Sequence, residues 1–149
     1  MKTHLLLATL CLSMVASAAT LGERNNNPGN LKKPPGDVWK GTTGYDKRGH
    51  AVFSSLDYGI RALYINFYNR AKRCPDMTLK HYFSRVYAEK NGENEARYIA
   101  DKLGIGVETK LRDVDLAGLV QCVAWFESRM SIDREQIDRV IEQTKKEKE

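Results

Sequence analysis

Apolar and polar positions follow two rhythms along this chain, and the rhythm changes at Ser54. Residues 24–53 are rich in Gly, Pro, Asn and Thr. They predict turns at Pro34-Pro35-Gly36 and from Asp46 to Gly49, with short extended pieces at Asn30-Leu31-Lys32 and His50-Ala51-Val52-Phe53. Beyond Ser54 the period is helical. Leu56, Ile60, Leu63, Tyr64 and Phe67 share one face of a helix capped by Ser54 or Ser55. Thr78 caps a second, with Leu79, Tyr82, Phe83 and Val86 inward. A third runs from Asn94 to Leu103 and stops at Gly104. Asp113 or Asp115 opens a fourth, Leu116 to Phe126, and Ser131 or Asp133 a fifth, with Ile137, Val140 and Ile141 inward. The closing Lys145-Lys146-Glu147-Lys148-Glu149 is polar throughout and predicts a frayed end. The fourth helix is apolar on nearly every side, which predicts a central position. The fold class expected is mostly α (α+β), with a small N-terminal β-hairpin and loop subdomain.

The first residues change the picture of where such a domain works. Lys2 and His4 precede an apolar stretch, Leu5 to Val15, and then Ala16-Ser17-Ala18. That is the order of a secretory leader and its small-residue cleavage site, giving a leader over 1–18 and one domain over 19–149. The stretch is shorter than the roughly 20 residues of a membrane span, so the expected product is secreted or periplasmic, with no membrane attachment after cleavage. Cys11 follows Leu10, a residue too large for the usual lipidation site. Loss of Lys2 leaves 23 basic and 19 acidic side chains, a net charge of +4. The excess favours approach to an anionic polymer, but without a nucleic-acid-reading motif in an exported chain no nucleic-acid partner is expected. Cys74 and Cys122 remain, and an even pair in an oxidising compartment predicts a disulfide, with a buried free thiol at Cys122 as the alternative. No long apolar surface stripe calls for a partner, so a monomer is expected.

Candidate chemistry is concentrated in few places. Arg24-Asn25-Asn26-Asn27-Pro28-Gly29-Asn30 predicts a tight loop, since Asn and Gly tolerate positive φ and Pro removes a donor. Its amides suit a neutral polar ligand such as a sugar, and they equally suit an elaborate turn. Glu127 ends the apolar helix in phase with Leu116, Val120 and Val123. Burial and the negative end of the helix dipole both predict a raised pKa there, suited to protonating a leaving oxygen. The competing reading turns Glu127 outward or pairs it with Arg129 or Arg24. Glu23, just before the loop, is a second candidate carboxylate, and Asp46 another. Glu89, Glu93 and Glu95 surround Asn91-Gly92 and predict a solvated turn. Trp39, Tyr45, Tyr58, Tyr64 and Tyr68 can stack on sugar faces or fill the core. His50 and His81 have no second ligand at metal spacing, so no metal or cofactor is expected. A Cys–His nucleophile from Cys74 or Cys122 with His81 or His50 is a minor alternative.

Arg24 to Leu31, Trp39-x-Gly41, Phe53 and Tyr58-Gly59-Ile60-Arg61-Ala62 together resemble a lysozyme-like family found in phage virion proteins and secreted bacterial proteins. Thr78-Leu79, Tyr87-Ala88, Glu93-Asn94, Tyr98, Leu103-Gly104 and the Glu127 helix end extend the match over almost the whole mature chain. The resemblance implies a variant of the lysozyme superfamily fold, with a peptidoglycan glycan strand as substrate and an essential Glu at the end of a buried helix, facing a small β lobe. On that basis Glu127 is the expected general acid and Glu23 the second carboxylate, with Glu93 and Asp46 as alternatives. Asn25, Asn26, Asn27, Asn30 and Tyr45 are the expected substrate contacts, and Arg61 a buttress of the loop. The activity implied is cleavage of β-1,4 bonds between aminosugars, by hydrolysis or by lytic transglycosylation. A non-catalytic peptidoglycan-binding protein of the same fold is the other class. Two positions depart from the family pattern: Glu23 stands where an apolar residue is usual, and Ser128-Arg129 stands where Asn-Gly is usual.

Overall fold

The computed structural model describes residues 17–87 and 90–148. The expected leader falls almost wholly on residues 1–16, and these, with Ala88 and Glu89, lie outside the described residues. The described part is mostly helical, with six α-helices and one two-stranded antiparallel sheet. None of these helices is long and apolar enough to cross a membrane.

The Asn-rich run is preceded by a helix that its composition hides. α1, Leu21–Asn25, is held by a capping box in which the Thr20 hydroxyl accepts from the Glu23 N–H and the Glu23 carboxylate accepts from the Thr20 N–H. The loop expected from Arg24 therefore begins two residues later, where Asn26 takes the left-handed conformation that ends the helix. β1, Thr42–Tyr45, and β2, Ala51–Phe53, pair through the turn at Asp46–Gly49. The extended piece expected at Asn30–Lys32 reduces to one bridge, Lys32 to His50.

α2, Leu56–Arg73, starts at Ser55 and buries the predicted face. α3, Leu79–Tyr82, has Thr78 as its cap, then widens into a π-helical turn, Phe83–Tyr87. The extra residue of that turn shifts the phase. Val86, expected inward, is 41 % exposed, and Tyr87 goes inward instead. Phe67 anchors an aromatic cluster, with ring centroids of Tyr82, Phe83 and Tyr87 at 5.7 to 6.2 Å.

α4, Gly92–Leu103, ends on a left-handed Gly104. α5, Leu116–Ser128, is the central helix predicted from its composition, in contact with α2, α4, α6 and α1. α6, Arg134–Lys146, packs its Ile137, Val140 and Ile141 face inward. Its C-terminal end is tied down, contrary to expectation: Glu147 accepts from Arg61 and Lys40 at 2.9 Å each. Cys74 and Cys122 are free, so the expected disulfide is not formed. Cys122 sits in the apolar interior of α5, where burial raises its thiol pKa. The helical period that placed it there leaves it no reason to meet Cys74 at the end of α2.

Candidate active site

The Asn-rich loop is built by its own amides. Asn27 is fully buried: its Nδ2 donates to the Leu31 and Ala51 carbonyls and its Oδ1 accepts from the Leu31 N–H, all at 2.9 Å. Asn26 Nδ2 donates to the Phe53 carbonyl, and Asn25 Nδ2 to Asp46. These three amides are spent inside the protein, so the elaborate-turn reading accounts for them. The loop rests on α2 through a close backbone approach. A Cβ on Gly59 would overlap the Asn26 carbonyl, which explains a glycine inside an 18-residue helix.

The far side of the loop grips the end of α5. Asn30 Nδ2 donates to the Glu127 carbonyl at 3.1 Å, and Ser128 Oγ to the Pro28 carbonyl at 2.9 Å. Thr20 Oγ1 donates to the Ser128 carbonyl at 2.8 Å, satisfying another free carbonyl of the helix end. Ser128 thus acts as a clasp between loop and helix. The Asn30 Oδ1 is buried without a donor.

Glu127 is half-buried and, among the described residues, pairs with no cation. Arg129 lies over the Trp125 ring and Arg24 donates to the Ala19 carbonyl, so neither arginine pairs with Glu127 as the competing reading has it. What faces Glu127 is Glu95. The solvated turn expected there holds for Glu93, exposed and paired with Arg97, and fails for Glu95, which has 0 % exposure. Its phase explains why: Glu95 lies four residues before Ile99 on the buried face of α4.

Neither Glu95 oxygen meets an N–H or hydroxyl donor. Burial first, then the charge of Glu127 and a hydrogen bond with its carboxyl, push the Glu95 pKa up to about 9. A buried carboxyl with a raised pKa thus stands on α4, the neighbour of α5. Tyr87 completes the wall. Its hydroxyl donates to the Gly29 carbonyl at 2.7 Å, and burial followed by Glu95, Tyr82 and Glu127 raises its pKa well above the usual value. Beside the start of α4 lies a concavity of about 450 Å³ lined by Ser84, Arg85, Lys90 and Asn91 to Asn94.

The other sequence candidates go elsewhere. Glu23 is exposed and engaged in its capping box. Partial desolvation opposes ionisation of Asp46, but the His50 N–H, the Asn25 amide, the Arg48 N–H and the nearby His50 ring outweigh it and bring its pKa down to about 2. Asp46 thus organises the hairpin turn. Arg61 pairs with Glu147 rather than bracing the loop. Tyr45 is exposed on β1, while Tyr64 is core. Trp39, Tyr58 and Tyr68 pack partly buried against the core. Cys74 and His81 line one open concavity of about 480 Å³ with Asp76, yet no hydrogen bond links them, and Asp76 is paired with Lys110 and Arg112. That arrangement lacks the oriented base a thiol nucleophile requires.

No group of His, Cys, Asp and Glu among the described residues is arranged to hold a metal ion. No protein-family model matches the chain, and no curated protein matches it in sequence.

Proposed function

We propose that this protein is an exported glycosidase of peptidoglycan, cleaving β-1,4 bonds between aminosugars with Glu127 as the acid–base group. The observation that carries the reading is Glu127 itself: a half-buried carboxyl at the end of the central helix, paired with no cation among the described residues, beside a second carboxyl and gripped by the Asn-rich loop. A glycan strand covering Glu127 displaces water and favours its uptake of a proton. Glu127 then protonates the glycosidic oxygen as the C–O bond breaks. Its carboxylate next removes a proton from the incoming hydroxyl, which bonds to the anomeric carbon.

Glu23 is held in a helix cap and Glu95 has no exposure. A single accessible carboxylate at the site favours attack by the sugar's own hydroxyl, the transglycosylase variant, over a two-carboxylate hydrolase. Digestion of purified peptidoglycan followed by product mass separates the two, since hydrolysis adds one water to each product pair. Glu127→Gln is expected to lower the rate by about 100-fold or more while leaving the fold intact. Full activity in that variant would remove Glu127 from the role. Binding to peptidoglycan with no fragment released by the wild-type protein would support the non-catalytic class.

A further inference from the structure

We propose that Glu95 is a positioning residue kept protonated, whose O–H donates to the Glu127 carboxylate and stabilises it each time Glu127 gives up its proton. The consequences for turnover rest on the glycosidase reading; the protonation itself does not.

The argument begins with burial. Glu95 has no exposed surface, and its neighbours on α4 are Ala96, Ile99 and Ala100. The titratable groups facing it are Tyr82 from α3, Tyr87 from the π turn and Glu127 from α5. None of them is a cation. Tyr87 has committed its proton to Gly29, and the Tyr82 oxygen accepts from Asn66. An ionised Glu95 would be a buried charge without a partner, which is strongly unfavourable. The neutral acid carries one donor, and the Glu127 carboxyl is the acceptor in reach.

A hydrogen bond from a neutral acid to a carboxylate is charge-assisted and favours the ionised partner. When Glu127 protonates a leaving oxygen, the charge that appears on it is met by a donor already in place. This is preorganised stabilisation, with no water to reorganise. An apolar residue would fill the same space in α4 without the burial cost. The carboxyl at that position therefore points to a use beyond packing.

The test uses the full chain and three variants: Glu95→Gln, Glu95→Leu and Glu127→Gln. Infrared spectra without substrate read protonation directly. A carboxylic-acid C=O band at neutral pH is expected in the wild type and in Glu127→Gln, and is expected to vanish in Glu95→Gln. With peptidoglycan, Glu95→Leu is expected to lose about 100-fold in kcat and to shift the pH–rate limb governed by Glu127 upward. Glu95→Gln restores a neutral donor and is expected to recover most of that loss. No such band in the wild type, its survival in Glu95→Gln, or an unshifted pH profile in Glu95→Leu overturns the proposal. If Glu95→Leu does not fold, the band assignment with Glu95→Gln still decides. The expected band pattern in a protein that releases no glycan would leave the buried acid standing and defeat the glycosidase reading instead.

Discussion

Glu95 in α4 lies within hydrogen-bonding reach of Glu127 at the end of α5, and it is the Glu95 carboxyl, without exposed surface, whose pKa is pushed up to about 9. The asymmetry follows from solvent access. Glu127 is half-buried, whereas Glu95 has no exposed surface and no cation beside it among the described residues.

The pair makes stability depend on pH in a definite direction. The folded-state pKa of Glu95, about 9, lies above its ordinary value of 4.5. Its contribution is fully present below pH 4.5 and is lost progressively as pH rises toward 9, where the folded protein too gives up the proton. Glu95→Gln removes this dependence. Urea unfolding midpoints should diverge in favour of the variant through that window, by up to about 1.4 kcal/mol per pH unit. Parallel curves for the two proteins would contradict the buried acid.

Asn27 is expected to matter for folding rather than for binding. Asn27→Ala leaves the Leu31 N–H and two carbonyls without their partner in a buried site. The expected loss is about 3 kcal/mol in urea denaturation. Asn30→Ala, which removes a single bond to the Glu127 carbonyl, should cost about 1 kcal/mol and act mainly on turnover. Unaltered stability in Asn27→Ala, with weakened glycan binding, would return that amide to the ligand.

Gly59→Ala tests the seating of the loop on α2. The added methyl would meet the Asn26 carbonyl and the Pro28 ring, so loop and helix must separate. A destabilisation of about 2 kcal/mol is expected, although alanine is the better helix former. Thermal unfolding reads it directly. A stabilised variant would mean that the loop is not held where the structure has it.

The thiols provide an independent check of the fold. Cys122 is buried with a raised pKa, and Cys74 is half-exposed. In the native protein, iodoacetamide labelling mapped by mass spectrometry should modify Cys74 and spare Cys122. After denaturation without reductant, both should react. A Cys74–Cys122 peptide surviving that treatment would refute the free thiols.

Local pattern carried far for the helices. The apolar run from Leu116 to Phe126 announced a central α5 without any knowledge of its neighbours, because a helix without a polar face has to be surrounded. Ser55, Thr78, Gly104 and Asp133 marked helix boundaries for the same local reasons. Other features had no local signal strong enough. The π turn at Phe83–Tyr87 coincides with Gly92 pressed against the Phe83 carbonyl, a contact between segments that only packing brings together. Glu95 did have a signal, its place four residues before Ile99, but the charged turn around it masked the phase.

By itself the sequence determined the helices from α2 onward, that loops and a small hairpin precede Ser54, and that Glu127 ends the least polar helix, since these depend on periodicity and on backbone preferences within a few residues. Only the tertiary structure decided what the loop amides bond and which carboxyl is fully buried. The acceptors of Asn26, Asn27 and Asn30 are carbonyls contributed by Phe53, Ala51 and Glu127, among others, up to 97 positions away. The raised pKa of Glu95 follows from its burial between packed helices and from the carboxyl of Glu127 beside it, which no stretch of sequence contains.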